Sequence, residues 1–298
     1  MVDKKLYPFE GKYLELAPKV RMHYLDEGSG EPVLMVHGNP SWSFYYRNLA
    51  REVARSGRRA IVPDHIGCGL SDRPSERRYA YTLDSRVRDL ETLIEKLGIA
   101  KNLTLVLHDW GGMIGMAWAA RHPEAVKRLV LLNTAAFPLP AGKKFPPALH
   151  LARLPLVGAL LVRGLNLFAR GTAATGCVRH PMSRELAAAY AAPYNSWGRR
   201  LAVHRFVQDI PLSPADRAWA TVAATAQALP KLSGVPTLIL WGGKDFVFDN
   251  SFLEEWKRRM PHAEVRLFQD AGHYILEDAA EEVVPAVLEF LNRNYKEK

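Results

Sequence analysis

The sequence predicts an α/β fold whose sheet is mostly parallel and has eight strands. From residue 32 onward, short apolar runs alternate with helical patterns, which is typical of parallel strands joined by crossover helices. The chain has 298 residues, of which 48% are apolar, and this is enough for one large domain with an extensive core. We therefore expect a single α/β core, with any further unit inserted into it.

Eight segments have the length and composition of β-strands. The first two precede every helical pattern, so we expect them to pair antiparallel at the start of the sheet. The other six are short apolar runs, as expected for parallel strands that helices cover on both faces. The predicted strands are residues 12–16, 21–26, 32–36, 60–63, 103–107, 128–132, 237–241 and 264–269.

Five further segments have apolar residues at helical spacing. The clearest spans residues 83–97, where Leu83, Val87, Leu90 and Ile94 fall on one face, as a helix packed on a sheet requires. The predicted helices are residues 43–55, 83–97, 113–122, 251–259 and 279–294.

The alternation of strands and helices stops between about residues 137 and 228. This stretch mixes proline, arginine and apolar residues without strand spacing, so we predict that it is wholly helical. An insertion between the sixth and seventh strands would lie over the carboxyl edge of the sheet, where open α/β sheets bind ligands. We expect residues 1–136 and 229–298 to form the core and residues 137–228 to form a helical cap.

Residues 155–170 of the predicted cap are apolar, with Arg163 and Arg170 at the polar margin. Such a segment could pack on the core, line a substrate channel or rest on a membrane surface, and packing is the commonest of the three. The net charge of the chain is +9, but the basic residues form scattered pairs that are typical of solvated surface. We expect no nucleic-acid binding, while an acidic protein or an anionic lipid surface stays open as a partner.

Composition also bears on cofactors and location. Cys68 and Cys177 are too few for a disulfide framework and have no metal-ligand spacing around them, so we expect no metal, no cofactor and a reducing, cytoplasmic setting. Residues 1–15 are polar and lack the apolar core of a signal peptide. No apolar run is long enough to span a bilayer.

The segment 103–112 is the most informative part of the chain. An apolar run ends at Asp109, and Trp110, two glycines and an apolar helical pattern follow. A strand, a tight turn and a helix present the turn residue as a nucleophile at the edge of a sheet. An ionised carboxylate in that position can attack carbon directly and form an enzyme ester. Taken alone, Asp109 could instead cap the next helix.

Residues after later strands supply partners for Asp109. Asp245 follows the seventh strand and His273 the eighth, and the order nucleophile, acid, histidine is that of the α/β-hydrolase fold. His273 would activate the second reactant, and Asp245 would hold the histidine tautomer and stabilise the imidazolium. Asn133, after the sixth strand, cannot ionise, which leaves Asp245 as the candidate acid.

Two polar side chains are candidates for stabilising negative charge beside the nucleophile. Asn39 lies in the loop after the third strand, which conventionally supplies a backbone N–H to an oxyanion hole. Its carboxamide and the indole N–H of Trp110 are neutral donors, and together they would suit a leaving anion or a developing oxyanion. Considered individually, Asn39 is more often a turn residue and Trp110 more often a packed core residue than a donor to a ligand.

These five candidate residues together resemble the active site of the haloalkane dehalogenases. The resemblance spans about residues 7–290, with the cap only loosely matched. It implies that Asp109 displaces a halide, which Asn39 and Trp110 hold. It also implies that His273, supported by its acid, activates the water that hydrolyses the ester.

A closer resemblance is to the β-lactone decarboxylases of bacterial long-chain olefin biosynthesis. It rests on residues 41–47, 63–72 and 206–212, the last of which lie in the predicted cap. It implies that a cis-β-lactone with two alkyl chains is converted to a cis-olefin and carbon dioxide, and that the protein associates with other enzymes of that pathway. Leu107 departs from the usual small residue two positions before the nucleophile, and we expect this to change packing only.

The leading prediction is therefore β-lactone decarboxylation, with haloalkane dehalogenation as the alternative. Epoxide hydrolysis is less favoured, because Tyr190 and Tyr194 lie in an alanine-rich helix where tyrosines usually pack. A non-catalytic scaffold would not need nucleophile, acid and base together. The sequence leaves open the chain length of the substrate, the oligomeric state and the carbon that Asp109 attacks. Attack at the lactone carbonyl would give an anhydride, and attack at the ring carbon bearing oxygen an alkyl ester.

Overall fold

The computed structural model describes residues 2–293 and contains all eight predicted strands. The observed strands overlap the predicted ones and differ from them only at their ends. They are β1 (Lys12–Ala17), β2 (Val20–Gly28), β3 (Pro32–Val36), β4 (Arg59–Pro63), β5 (Leu103–Asp109), β6 (Val126–Thr134), β7 (Thr237–Gly242) and β8 (Glu264–Phe268).

The strands form a sheet in the order β1-β2-β4-β3-β5-β6-β7-β8. The predicted antiparallel start is confirmed, because β2 runs antiparallel to both β1 and β4, while the other neighbours are parallel. The position of β3 between β4 and β5 makes it a switch point, where loops diverge and leave a crevice. Val36 of β3 is in register with Leu107 of β5, so the loops after these two strands are neighbours.

All five predicted helices are present, with shifted ends. The predicted helix at residues 43–55 begins with a 3₁₀ turn, Ser43–Tyr46. A short helix at residues 275–278 precedes the last predicted helix, which begins at Ala280. Residue 294, its predicted end, lies outside the described residues. The helices are α1 (Arg47–Arg55), α2 (Leu83–Lys96), α3 (Trp110–Ala119), α4 (Pro147–Arg153), α5 (Pro155–Gly158), α6 (Leu167–Thr175), α7 (Arg184–Ala191), α8 (Leu201–Gln208), α9 (Trp219–Ala228), α10 (Asn250–Arg259), α11 (Ile275–Asp278) and α12 (Ala280–Asn292).

Between β6 and β7 the structure describes helices α4 to α9 together with short 3₁₀ turns and one π-helical turn, Ala159–Gly164. We call residues 137–228 the helical insertion. The expectation that residues 155–170 pack on the core is only partly right, since Val162 is buried whereas Leu156 is exposed. Within residues 2–293, none of the helices combines the length and apolar character needed to cross a bilayer.

A glycine on the next helix accommodates Leu107. The Leu107 side chain is fully buried and lies against Gly115 of α3, where a β-carbon would overlap it. The large side chain of Leu107 on β5 therefore fills the space left by Gly115 on α3. This pairing keeps the strand and the helix close together on either side of Asp109.

Candidate active site

Asp109 is the last residue of β5 and enters the turn to α3 with a φ of 51°. Residues with a β-carbon seldom adopt positive φ, and two glycines enforce the tight turn. A β-carbon at Gly111 would overlap the carbonyl oxygen of Val36. One at Gly112 would overlap the hydroxyl of Thr134. The strain at Asp109 thus follows from the close approach of α3 to the sheet.

The loop after β3 holds one oxygen of the Asp109 carboxylate. The backbone N–H of Asn39 donates to Oδ1 of Asp109 at 2.6 Å. Gly38 leaves room for this contact, because a β-carbon there would overlap the Asp109 side chain. Oδ1 is therefore held by a backbone donor, as an oxyanion hole would hold it after attack. The backbone N–H of Trp110 donates to the same carboxylate.

His273 and Asp245 lie together as a histidine–carboxylate pair. Nδ1 of His273 donates to Oδ2 of Asp245 at 2.7 Å, which fixes the imidazole tautomer. The other oxygen of Asp245 accepts the backbone N–H groups of Val247 and Phe248 at 2.7 and 3.1 Å. Nε2 of His273 faces Asp109, 3.9 Å from its Oδ2. The fold thus brings three buried residues together from distant parts of the sequence.

The surroundings shift both central pKa values. Burial raises the pKa of Asp109 to about 6, against the opposing effect of His273. At neutral pH the carboxylate is therefore mostly ionised and nucleophilic. Burial by itself lowers the pKa of His273, but the charge and hydrogen bond of Asp245, with the charge of Asp109, raise it above its ordinary value. The imidazolium is thus favoured while a negative charge lies beside it.

The two predicted donor side chains are placed differently. Trp110 lines a pocket above Asp109, and its indole N–H has no hydrogen-bond partner among the residues described. The Asn39 amide donates to the carbonyl oxygen of Val203 in α8 at 3.1 Å. Asn39 therefore connects the β3 loop to the helical insertion. Of the two side chains, Trp110 is the one whose donor is available to a ligand.

Asn133 lies at the end of β6, where an acid could have stood. Its side chain donates to the carbonyl oxygen of Gly242 at 3.0 Å and accepts the backbone N–H of Gly242 at 2.8 Å. Because an amide does not ionise, Asn133 provides no acid. It fixes the end of β7, from which the loop that carries Asp245 begins.

An apolar pocket lies above Asp109 and is walled by both the core and the helical insertion. It encloses about 830 Å³, counting its mouth. Lys143 also lines it, but this cation is paired with Asp249. The apolar walls of this pocket suit a ligand with hydrocarbon chains. Its apolar walls include Met113, Phe137, Leu149, Phe168, Ile210 and Phe248.

Asp278 is a positioning residue that the sequence did not reveal. Its buried carboxylate accepts the backbone N–H of Gly272, next to His273, at 2.6 Å. It also accepts the N–H groups of Val178 and His180 in the helical insertion, at 2.8 and 2.6 Å. In the sequence this residue resembles any charge at a helix terminus, and no spacing distinguishes it.

His108 is a second residue that sequence reasoning missed. Its Nε2 donates to the carbonyl oxygen of His273 at 2.9 Å. Burial lowers its pKa well below the ordinary value, so it stays neutral and supports the backbone of His273. Its place directly before Asp109 in the sequence is the one signal that pointed to it.

The tyrosines considered for epoxide activation are engaged elsewhere. The Tyr190 hydroxyl donates to Glu277 at 2.5 Å, and the Tyr194 hydroxyl donates to the carbonyl oxygen of Ser41 at 2.8 Å. Neither residue lines the pocket above Asp109. Within residues 2–293, no group of three His, Cys, Asp or Glu side chains could hold a metal ion.

The sequence and the fold are similar to those of known proteins. A family model described as the alpha/beta hydrolase fold matches residues 31–280. A cis-3-alkyl-4-alkyloxetan-2-one decarboxylase of Shewanella oneidensis is 54% identical over 96% of this chain and 89% of its own length. A protein of the same name from Xanthomonas campestris pv. campestris is 48% identical over 97% of this chain and 98% of its own.

Solved structures also show the similarity of the fold. The crystal structure of the haloalkane dehalogenase DbeA from Bradyrhizobium elkani matches with a TM-score of 0.84 and 26% identity, over 95% of this chain and 97% of that one. The chain therefore belongs to the α/β-hydrolase family, among relatives named as oxetan-2-one decarboxylases and haloalkane dehalogenases.

Proposed function

We propose that this protein converts cis-3,4-dialkyl β-lactones into cis-olefins and carbon dioxide. The observation that carries the proposal is the 54% and 48% identity, over nearly the whole chain, to two proteins named for that lactone class. The apolar pocket above Asp109 supports it, because two alkyl chains need such walls. The nucleophile at the pocket floor supports it as well, because a strained ring ester yields to a carboxylate.

The first step is attack by Oδ2 of Asp109 on the ring carbon that carries the ring oxygen. The carbon–oxygen bond of the ring breaks, and its electron pair leaves on the substrate carboxylate. The negative charge thereby moves from Asp109 to the substrate without leaving the pocket, so the His273 imidazolium stays favoured. Trp110 lines the same pocket, and its indole N–H would donate to the new carboxylate.

The second step releases both products and the enzyme. The bond between the carboxylate carbon and the ring breaks, and its electron pair forms the double bond. The ester bond to Asp109 breaks in the same step, and its electron pair returns to the aspartate beside the His273 imidazolium. Inversion in the first step followed by anti elimination in the second keeps the alkyl groups cis, and no water is consumed.

Olefin release tests the function, and labelled water tests the route. Purified protein given a cis-3,4-dialkyl oxetan-2-one should form cis-olefin, measured by gas chromatography; formation no faster than in buffer would refute the proposal. After many turnovers in oxygen-18 water, the peptide containing Asp109 should stay unlabelled. Label in Asp109 would instead indicate that water attacks the Asp109 carbonyl carbon of a covalent intermediate, either the alkyl ester or an anhydride formed by attack on the lactone carbonyl.

Haloalkane dehalogenation is the second candidate function. The unpartnered Trp110 N–H next to Asp109 favours it, because a departing halide needs a neutral donor there. In that reaction His273 would deprotonate a water that hydrolyses the alkyl ester. Halide release from bromoalkanes, compared with olefin release from the lactone on the same preparation, decides between the two. We do not propose epoxide hydrolysis, because Tyr190 and Tyr194 lie outside the pocket.

The proposed reaction also suggests a setting for the protein. The helical insertion acts as a cap that shields the pocket from water. The enzyme works in cytoplasmic olefin biosynthesis, next to the enzymes that build the lactone. Co-purification with those enzymes from cells that make olefins tests this association, and a chain that always purifies alone would contradict it.

A further inference from the structure

The outer face of the helical insertion exposes a cluster of large apolar side chains, which we call the leucine patch. Leu156 is 86% exposed, far more than a packed leucine, and soluble proteins seldom expose many such residues together. The elements are mutual neighbours: α5 contacts α4, and the π-helical turn contacts α4, α5 and α6. The patch comprises Leu151, Leu154, Leu156, Val157, Leu160, Leu165, Leu167 and Trp197.

The sequence segment that carries most of the patch has basic residues but no acidic ones, although Arg153 within it is paired with Asp216 from outside it. Residues 125–184 contain nine Lys or Arg and no Asp or Glu. Among the cations nearest the patch, Arg163 lies over the Trp197 ring at 4.4 Å. Arg163, Arg170 and Arg199 form no ion pair within residues 2–293. An apolar surface with an arginine rim and a tryptophan is typical of a protein face that enters the interface of an anionic bilayer.

The patch and the pocket share walls. In α4, Leu149 lines the pocket and Leu151 lies in the patch. In α6, Phe168 lines the pocket and Leu167 lies in the patch. Each of these two helices therefore contributes one side chain to the pocket that holds Asp109 and another to the patch.

We propose that the leucine patch docks the protein on an anionic lipid surface, from which an apolar substrate enters the pocket between α4 and α6. The docking rests on the apolar face and its charge, while the route of entry rests on the proposed function. A protein partner fits less well, because a face of aliphatic side chains offers few hydrogen-bonding groups. Each unpaired arginine adds about fivefold to binding at an anionic surface, which high salt removes.

Vesicle flotation tests the docking without any substrate. We expect at least about tenfold more binding to phosphatidylglycerol vesicles than to phosphatidylcholine vesicles at low salt. Leu156→Glu with Leu160→Glu should lower that binding at least about tenfold, and Arg170→Glu alone about fivefold or more. Lys101→Glu, which makes the same change in charge as the double variant at an exposed residue before β5, should stay within about twofold of the wild type.

Either of two kinds of result, in vesicle binding or in oligomeric state, would overturn the proposal. One is a wild type that does not bind phosphatidylglycerol, or a double variant that binds as well as the wild type. The other is a dimer in analytical ultracentrifugation that the double variant dissociates, since a second copy would then cover the patch. Turnover of detergent-dispersed lactone is measured in parallel, so that failure of docking and failure of the proposed function are seen separately.

Discussion

Nε2 of His273 lies 3.9 Å from Oδ2 of Asp109, beyond hydrogen-bonding distance. The imidazole is held from behind by Asp245, and Oδ1 of Asp109 is held by the Asn39 backbone. Each proposed catalytic group is thus held by a partner other than the group it faces, and Trp110 adds a second backbone hydrogen bond to the Asp109 carboxylate. This arrangement determines the expected effects of the substitutions below.

Asp109→Asn should abolish turnover while leaving the fold intact. Asparagine tolerates the positive φ of this position, but an amide cannot form the ester. We expect olefin formation to fall on the order of 10⁴-fold or more, with an unchanged circular dichroism spectrum. A variant that keeps full activity in gas chromatography would exclude covalent catalysis in either candidate function.

His273→Gln should trap the covalent intermediate. Attack by Asp109 needs no base, but breakdown of the ester needs the imidazolium in the decarboxylase or an activated water in the dehalogenase. Mass spectrometry of the digested variant should therefore find the substrate mass on the peptide that contains Asp109. Gln208, whose side chain lies outside the pocket, offers a control as Gln208→Ala. An unmodified Asp109 in an inactive His273→Gln protein would contradict this division of roles.

The rate should depend on pH through Asp109. Because burial raises the pKa of Asp109 to about 6, the nucleophilic form is present above that pH and is lost as the pH falls. We expect kcat/KM to drop about tenfold for each pH unit well below 6. A profile that stays flat to pH 4 while the protein remains folded would exclude the raised pKa.

Gly38→Ala should displace the nucleophile. A β-carbon at residue 38 would overlap the Asp109 carboxylate, and misplacing a reacting group by about 1 Å can cost about a hundredfold in rate. Gly234→Ala is the matched control, since a β-carbon there meets nothing. Equal steady-state rates for the two variants would show that Gly38 does not limit the position of Asp109.

Asp278→Asn should loosen the loop that carries His273. The amide replaces one acceptor oxygen with a donor, so at least one of the N–H groups of Gly272, Val178 and His180 loses its partner. Leaving such a buried group unpaired lowers the free energy of unfolding by about 1–3 kcal/mol. Thermal unfolding measures this, and kcat should fall as well.

Asp270→Asn is the control for that experiment, because Asp270 is exposed and forms a surface ion pair with Arg179. The unfolding temperature should change far less than in Asp278→Asn. If the two substitutions lower it equally, Asp278 has no special positioning role.

Local patterns predicted the parts of the site that depend on chain order. Asp109 was recognisable because a buried strand, a tight turn and an apolar helix are each visible in sequence. Asp245 and His273 followed, since parallel strands bring their carboxyl ends to one edge of a sheet. The loop after the third strand was predicted to lie beside Asp109 for the same reason. In the structure Val36 pairs with Leu107, which brings Asn39 next to Asp109.

Contacts between distant segments could not be predicted. Asp278 binds backbone groups about 100 residues away, and backbone donors leave no mark in the sequence. The exposure of Leu156 was not predicted either, but for a different reason. An apolar segment usually packs, and periodicity cannot tell which helices of an insertion have nothing above them.

The bond network of Asp278 has a consequence for exchanging insertions between relatives. Besides the contacts to Asp278, the backbone N–H of Tyr274 donates to the carbonyl oxygen of Gly176 at 3.0 Å. The segment from Gly176 to His180 in the helical insertion thus helps to hold the loop that carries His273. A chimaera that takes its other insertion helices from a relative but keeps these five residues should retain the position of His273. A chimaera that also replaces these five residues should have a different pocket and a displaced His273, and should therefore lose activity.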